Sequence, residues 1–191
     1  MTCLIVGDTE TTGLDPSTGH LLELGFLVVD EKLNKLGSLQ WLWPSSCGEA
    51  AGPCYQAAAP KVQQMHTTNG LWNDLDQAGQ PGGRFYGCTN EDVVRQVLEL
   101  FGQMGVSANS QATLIGRKPS FDLDWLGYHA KPIADLFHYQ TIDIVAMQKI
   151  VQTRYGQDKK WKEPQPHRGL GDCENELEEL RYYVNNFMVS V

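Results

Sequence analysis

Residues 4–14 read "LIVGDTETTGL", an apolar run that gives way to two carboxylates, Asp8 and Glu10, one residue apart. Side chains at i and i+2 of a strand point to the same face. Two like charges side by side where a buried strand ends repel each other, and their burial is costly unless something positive lies between them. A divalent metal ion meets that need. The plainer alternative is a polar turn, with Thr11, Thr12 and Gly13 as ordinary loop residues.

Outward from this stretch, apolar or alternating segments predict strands at about 3–7, 21–29 ("LLELGFLVV") and 37–43 ("GSLQWLW"). Turns at Asp15-Pro16 and Asn34 link them. These links are too short for helices, so the sheet opens antiparallel. Residues 44–60 and 76–88, rich in Gly, Pro, Ala and Gln, are expected to be surface loop insertions unable to support a core.

Asn90 opens a helix, with Glu91 and Asp92 in its first turn and Val93, Val97 and Phe101 along one face; Gly105 ends it. A short buried strand is predicted at 112–116. Ser120 then caps a helix carrying Phe121, Trp125 and Leu126. Another short strand fits 138–142, followed by a helix through about 154. A last helix has Leu170, Cys173, Leu177, Leu180, Val184 and Phe187 at three- and four-residue spacing. Hairpin-linked strands followed by alternating helices and strands predict one α/β domain over residues 1–191. Fold class alone names no function.

The chain's 191 residues can bury a substantial single core, and 41% hydrophobic and 20% charged residues suit a globular protein. No apolar run approaches the roughly 20 residues that span a bilayer, so no membrane partner is expected. No basic region leads into a long apolar segment, and no secretory leader is expected. Five cysteines without a C-x-x-C pair predict reduced thiols and a cytoplasmic protein. A zinc site from Cys47, Cys54 and Cys88 is conceivable, but the spacing is not diagnostic. A formal charge of -8 argues against tight gripping of long duplex DNA, whose affinity comes from phosphate neutralisation. It leaves room for nucleic acid handled at one end through metal ions. Residues 159–168, "KKWKEPQPHR", form a basic island.

Two more acids extend the opening pair. Asp122 lies in "SFDLDWLGYH" (120–129), where a helix begins. Asp172 lies in "HRGLGDCENELEELRYY" (167–183), with His167 five residues before it. Taken singly, these are a solvated helix face and a surface histidine. Together, Asp8, Glu10, Asp122 and Asp172 could converge as hard oxygen ligands for two Mg²⁺ or Mn²⁺ ions. Two ions about 4 Å apart stabilise both the attacking and the leaving oxygen at a phosphodiester. His167 could be the base that deprotonates the water.

"DTETTGLDP", "FDLDWL" and "HRGLGD", in this order, resemble the three motifs of the DEDD exonucleases of the ribonuclease H-like fold, in the subgroup with a histidine. Further stretches, "KVQQMHTTNGL" (61–71) and "FDLDWLGYHAKPIADLFHYQTIDI" (121–144), are similar to oligoribonuclease. The resemblance covers nearly the whole chain apart from the two Gly/Pro-rich segments. It implies a central mixed five-stranded sheet with helices on both faces. It also implies a 3′→5′ exonuclease releasing nucleoside 5′-monophosphates from single-stranded nucleic acid, with short RNA favoured and single-stranded DNA possible.

By the same resemblance, Asp8, Glu10 and Asp172 hold the ion beside the nucleophilic water, and Asp8 with Asp122 holds the second. His167 is the general base, a role that an imidazole with a pKa near 6.5 suits at neutral pH. Thr11 and Leu14 contact substrate, Leu14 as a wedge against the 3′-terminal base. His66 stacks on a base. His138 and Tyr139 reach into the partner's site in a homodimer.

Some positions depart from the oligoribonuclease pattern. Gln140 stands where an arginine follows the tyrosine, and Val145 and Ala146 stand where hydroxyl residues follow the next aspartate. Gly116-Arg117-Lys118 replaces Gly-Asn-Ser. A strict cap on a dinucleotide is weakened, and Arg117, Lys118 and the basic island are expected to follow a longer strand. Two rivals remain: a nucleic-acid-binding domain that has lost catalysis, and a haloacid-dehalogenase-like phosphatase. The second needs an aspartate where Glu10 stands.

Overall fold

The computed structural model describes residues 3–107, 111–162 and 166–188. Five strands form one mixed sheet: β1 (Leu4–Thr11), β2 (Leu21–Val29), β3 (Lys35–Leu42), β4 (Thr113–Gly116) and β5 (Ile142–Asp143). Their order is β3-β2-β1-β4-β5. β1 pairs antiparallel with β2, and β2 with β3. β4 joins β1 in parallel and β5 joins β4 in parallel. Eight helices lie among the described residues: α1 (Ala51–Ala57), α2 (Pro60–Thr68), α3 (Leu71–Ala78), α4 (Asn90–Gln103), α5 (Pro119–His129), α6 (Lys131–Ala134), α7 (Ile144–Tyr155) and α8 (Gly169–Phe187).

The central strands are buried on both faces, and β2 is buried at all nine positions. One face packs Ile5, Leu24 and Phe26 against Val93, Val97 and Phe101 of α4 and Trp125 and Leu126 of α5. The other packs Val6, Leu27 and Ile115 against Ile144 of α7 and Cys173, Leu177 and Leu180 of α8. Strand alternation therefore sends Asp8 and Glu10, which share the parity of Val6, toward α8. Thr9 faces α5.

Three local expectations change. Residues 44–60 are not a loop without a core: they form two 3-10 turns and α1, and place Cys47, Ala51 and Cys54 in the main core. Residues 76–88 likewise contribute Ala78 and Phe85. Small residues pack tightly here, so a Gly/Pro/Ala composition hides the burial. Ser120 does not cap α5; the helix starts at Pro119, whose fixed φ suits the first turn, after Lys118 in a left-handed conformation with φ 77. The last strand is shorter and later than 138–142. The α4 start agrees with expectation: Thr89 and Asp92 exchange backbone-to-side-chain bonds of 3.1 and 3.2 Å in a capping box.

All five cysteines are unpaired. Burial and the neighbouring Cys54 and Cys88 push the Cys47 thiol up to about 12. The three thiols do not form a metal-ligating group among the described residues. No helix among them is long and apolar enough to cross a membrane.

Candidate active site

Where β1 runs beneath the first turn of α8, Asp8, Glu10 and Asp172 each present an oxygen, and these oxygens lie within 4.8 Å of one another. The approach of α8 depends on two glycines. A Cβ on Gly25 would stand 2.1 Å from the Gly169 carbonyl carbon, so the two backbones touch where any other residue would force them apart. Glu23, fully buried two residues before Gly25, fastens the same turn. Its Oε2 accepts from the Gly169 N–H at 2.8 Å and from Arg168 Nε at 3.2 Å. Its Oε1 accepts from Arg168 Nη2 at 2.9 Å and from Gln40 Nε2 at 2.9 Å. The other arm of Arg168 pairs with Asp74 of α3 at 2.8 Å. Asp172 in turn accepts the Arg168 N–H at 3.1 Å. A carboxylate in the first turn also gains from the helix dipole.

Asp122 approaches from the other face of the sheet. Its Oδ1 accepts from the Thr9 N–H at 3.0 Å and from Thr9 Oγ1 at 2.7 Å. The residue between the two opening carboxylates therefore orients the third acid. Asp122 is not part of the close triad, in keeping with a separate role beside Asp8.

The electrostatics of the cluster are those of uncompensated negative charge. Burial, and then Asp122, Glu10, Glu176 and Asp172, hold the Asp8 carboxyl well above the usual carboxylate range. Burial and the charges of Asp172 and Glu23 push Glu10 up to about 9. Burial raises Asp122 to about 7 and Asp172 to about 6, against hydrogen bonds that lower both. Hard, crowded oxygen donors of this kind fit Mg²⁺ or Mn²⁺. Asp8, Glu10 and Asp172 would hold one ion, and Asp8 with Asp122 a second.

This has a consequence for stability. A carboxyl whose folded pKa exceeds its unfolded one binds extra protons in the native state, so stability falls as pH rises between the two values. For Glu10 that window runs from 4.5 to about 9. His66, lowered from 6.5 to about 4 mainly by burial, gives the opposite slope below 6.5. The clean window therefore lies above 6.5. Without divalent ions the melting temperature should fall from about pH 6.5 to about pH 9, and saturating Mg²⁺ should flatten the curve, as calorimetry can read. A metal-free curve that stays level or rises would contradict the clustering.

The remaining predicted residues are placed as follows. His167 is exposed on the rim, with φ 55, its carbonyl accepting from Asn69 Nδ2. It shares a surface cleft with Lys61, Met65 and Asn69. Burial and the Lys61 charge lower its pKa. Thr11 is buried and donates to the Gly13 carbonyl at 2.8 Å, shaping the turn that presents Leu14, which is 87% exposed. Tyr139 is 82% exposed.

Two more of these residues have partners inside the protein. His66 is fully buried, with Nε2 3.5 Å from Glu10 Oε2 and its ring edge-on to Trp72 at 5.7 Å. Arg117, partly exposed, pairs with buried Glu179. Lys118 stays exposed. Of the basic island, residues 163–165 lie outside the described residues. Trp161 ties the preceding part to α8 through Asn175 at 2.8 Å. Glu23, Thr9, Asn69 and Glu176 were not singled out by sequence. Only the run of buried neighbours around Glu23 in "LLELGF" could have marked one of them.

No protein-family model matches the chain. It is 27% identical over 179 residues to an oligoribonuclease of Streptomyces griseus, covering 92% of this chain and 82% of the relative. An oligoribonuclease of Haemophilus ducreyi is 24% identical over 196 residues, covering 97% and 94%. Among solved structures, E. coli exonuclease I in complex with a 5cy-dA13 oligonucleotide superposes with a TM-score of 0.62 at 11% identity over 97% of this chain. This chain spans 40% of that one. S. pombe Pop2p in its Mg²⁺- and Mn²⁺-bound form gives 0.60 at 14% identity, covering 97% and 84%. The chain is thus a homologue of proteins named oligoribonuclease, in a ribonuclease H-like fold.

Proposed function

We propose that this protein is a divalent-metal-dependent 3′→5′ exonuclease that releases nucleoside 5′-monophosphates from single-stranded ends, with short RNA as its favoured substrate. The convergence of Asp8, Glu10 and Asp172 within 4.8 Å carries this reading. The homology to oligoribonucleases supports it over a phosphatase. Two Mg²⁺ or Mn²⁺ ions held there would supply Lewis acidity on both sides of the scissile phosphorus. The chain's own residues do the rest. The four carboxylates fix the site from two faces of the sheet, through α8 and Thr9. An imidazole nitrogen of His167, on the rim, accepts the proton of the attacking water. Leu14, projecting from the turn behind Thr11, meets the terminal base. His66, 3.5 Å from Glu10, lies beside the carboxylates.

Incubating labelled RNA and DNA oligonucleotides of graded length with Mg²⁺ or Mn²⁺ and resolving the products on a gel tests this. Ladders shortening from the 3′ end are expected; absence of any shortening on either polymer would leave only a binding module. The same gel reads length preference. A tight cap needs charge-assisted hydrogen bonds to a terminal phosphate. Gln140 has no charge, Val145 and Ala146 have no side-chain donor, and Arg117 is engaged by Glu179. Chains of about five nucleotides should therefore be cut at least as well as dinucleotides, with rates falling as salt rises. A dinucleotide preference of about a hundredfold in kcat/KM (nearly 3 kcal/mol) would defeat this expectation.

A homodimer in which Tyr139 acts on its partner's site completes the reading. Mixing Tyr139→Phe with Asp8→Ala chains should then restore activity, because one of the two sites in a heterodimer escapes both defects. No recovery after confirmed exchange would place the tyrosine elsewhere.

A further inference from the structure

Three acids besides the four proposed ligands lie buried around the site, and two of them are neutralised. Glu23 is paired with Arg168, and Glu179 with Arg117. Glu176 is the exception. It is 1% exposed, one turn after Asp172 on α8, where an i,i+4 neighbour shares its face. Its Oε1 accepts the Arg117 N–H at 3.2 Å. Its Oε2 has no hydrogen-bond partner among the described residues.

The carboxylate lies over the sheet between β4 and β1. A Cβ on Gly116 would be 3.7 Å from Glu176 Oε2 and 3.1 Å from the Gly7 carbonyl oxygen, directly before Asp8. The charges it meets are those of Asp122 and Asp172, opposed by that of Arg117, and it is itself one of the charges acting on Asp8. A buried carboxylate oxygen facing other carboxylates, with the nearest guanidinium already taken, holds a proton unless a cation reaches it.

From this geometry we infer that Glu176 is a fifth carboxylate of the metal centre, reaching the ion on the Asp8–Asp122 side directly or through one water. The inference rests on the two-ion reading above and deepens it. Four carboxylates balance two divalent ions. The fifth gives the Asp122 side an additional hard oxygen donor and surplus negative charge, which favours tight cation retention. Glu176 would also link the α8 face of the sheet to Asp122, which reaches the site from the opposite face.

The test is Mn²⁺ binding, followed by titration calorimetry and by the electron paramagnetic resonance signal of free Mn²⁺. Wild type is compared with Glu176→Gln, which keeps an oxygen for the Arg117 N–H and removes the charge. Two ions are expected on the wild type. The variant should hold one of them about tenfold or more weakly, in line with the usual cost of losing a supporting ligand, and the other within about twofold. Its Mn²⁺-induced rise in melting temperature should shrink accordingly. If Glu176→Gln does not fold, Glu176→Ser is judged by the same titration. Two ions bound equally well by wild type and variant would overturn the role of Glu176 while leaving the two-ion reading intact. Fewer than two ions on the wild type would defeat that reading, and the inference with it.

Discussion

Asp8→Ala should reduce turnover to well below a tenth of wild type, and by about a thousandfold if the lost stabilisation is about 4 kcal/mol. Asp8 belongs to the close triad and is also the carboxylate best placed to share a second ion with Asp122. Removing it therefore weakens both ion positions together. The same substitution should raise the melting temperature of the metal-free protein, because Asp8 is the group on which the charges of Asp122, Glu10, Glu176 and Asp172 bear. Loss of activity with a gain in metal-free stability separates a catalytic carboxylate from a structural one. Single-turnover assays and thermal melts on the same preparation give both readings. A variant keeping more than about a tenth of the wild-type rate would rule out the two-ion mechanism.

His167→Ala is the second large effect, expected to slow chemistry by roughly 10²–10⁴-fold with little change in metal affinity. The pH dependence carries the sharper information. Burial and Lys61 lower the His167 pKa from its usual 6.5, so more of the imidazole is free to accept a proton below neutrality. At saturating metal, the wild-type rate should rise through one inflection below 6.5 and level off above it. Lys61→Ala should move that inflection upward. A rate that stays flat from about pH 5 to about pH 8, with chemistry limiting, would remove the histidine from the proton transfer.

The parts of the fold that sequence made legible are those where one face decides everything. "LLELGFLVV" is apolar apart from Glu23 because both faces of β2 are covered, and α4 announces itself through its capping box and its stripe of Val93, Val97 and Phe101. The meeting of Asp8, Glu10 and Asp172 was legible because their motifs fix both spacing and face. What stayed hidden depends on contacts far apart in the chain. Nothing local distinguishes Arg117, paired with Glu179 sixty-two residues away, from a surface arginine. His66 looks like any histidine on a polar helix until α2 folds over Glu10. The core contribution of Cys47, Ala51 and Cys54 escaped because small side chains in a Gly- and Pro-rich stretch have the same composition as a loop.

The contact between Gly25 and Gly169 has a further consequence for how the protein tolerates change. The first turn of α8 is seated by main chain on main chain and locked by Glu23, while the rest of the helix is held by ordinary packing of Leu177, Leu180 and Tyr183. One helix thus carries two separate mechanical duties, a rigid anchor at one end and a forgiving body beyond it. Substitutions that loosen the body, such as Leu180→Ala, spend their effect on melting temperature and leave the carboxylates in register. Even a single methyl group at Gly25 would press on the Gly169 backbone, and is expected to displace the first turn of α8 and Asp172 with it. Drift can therefore accumulate along the part of α8 beyond Glu176 without reaching the chemistry, provided those two backbones stay bare.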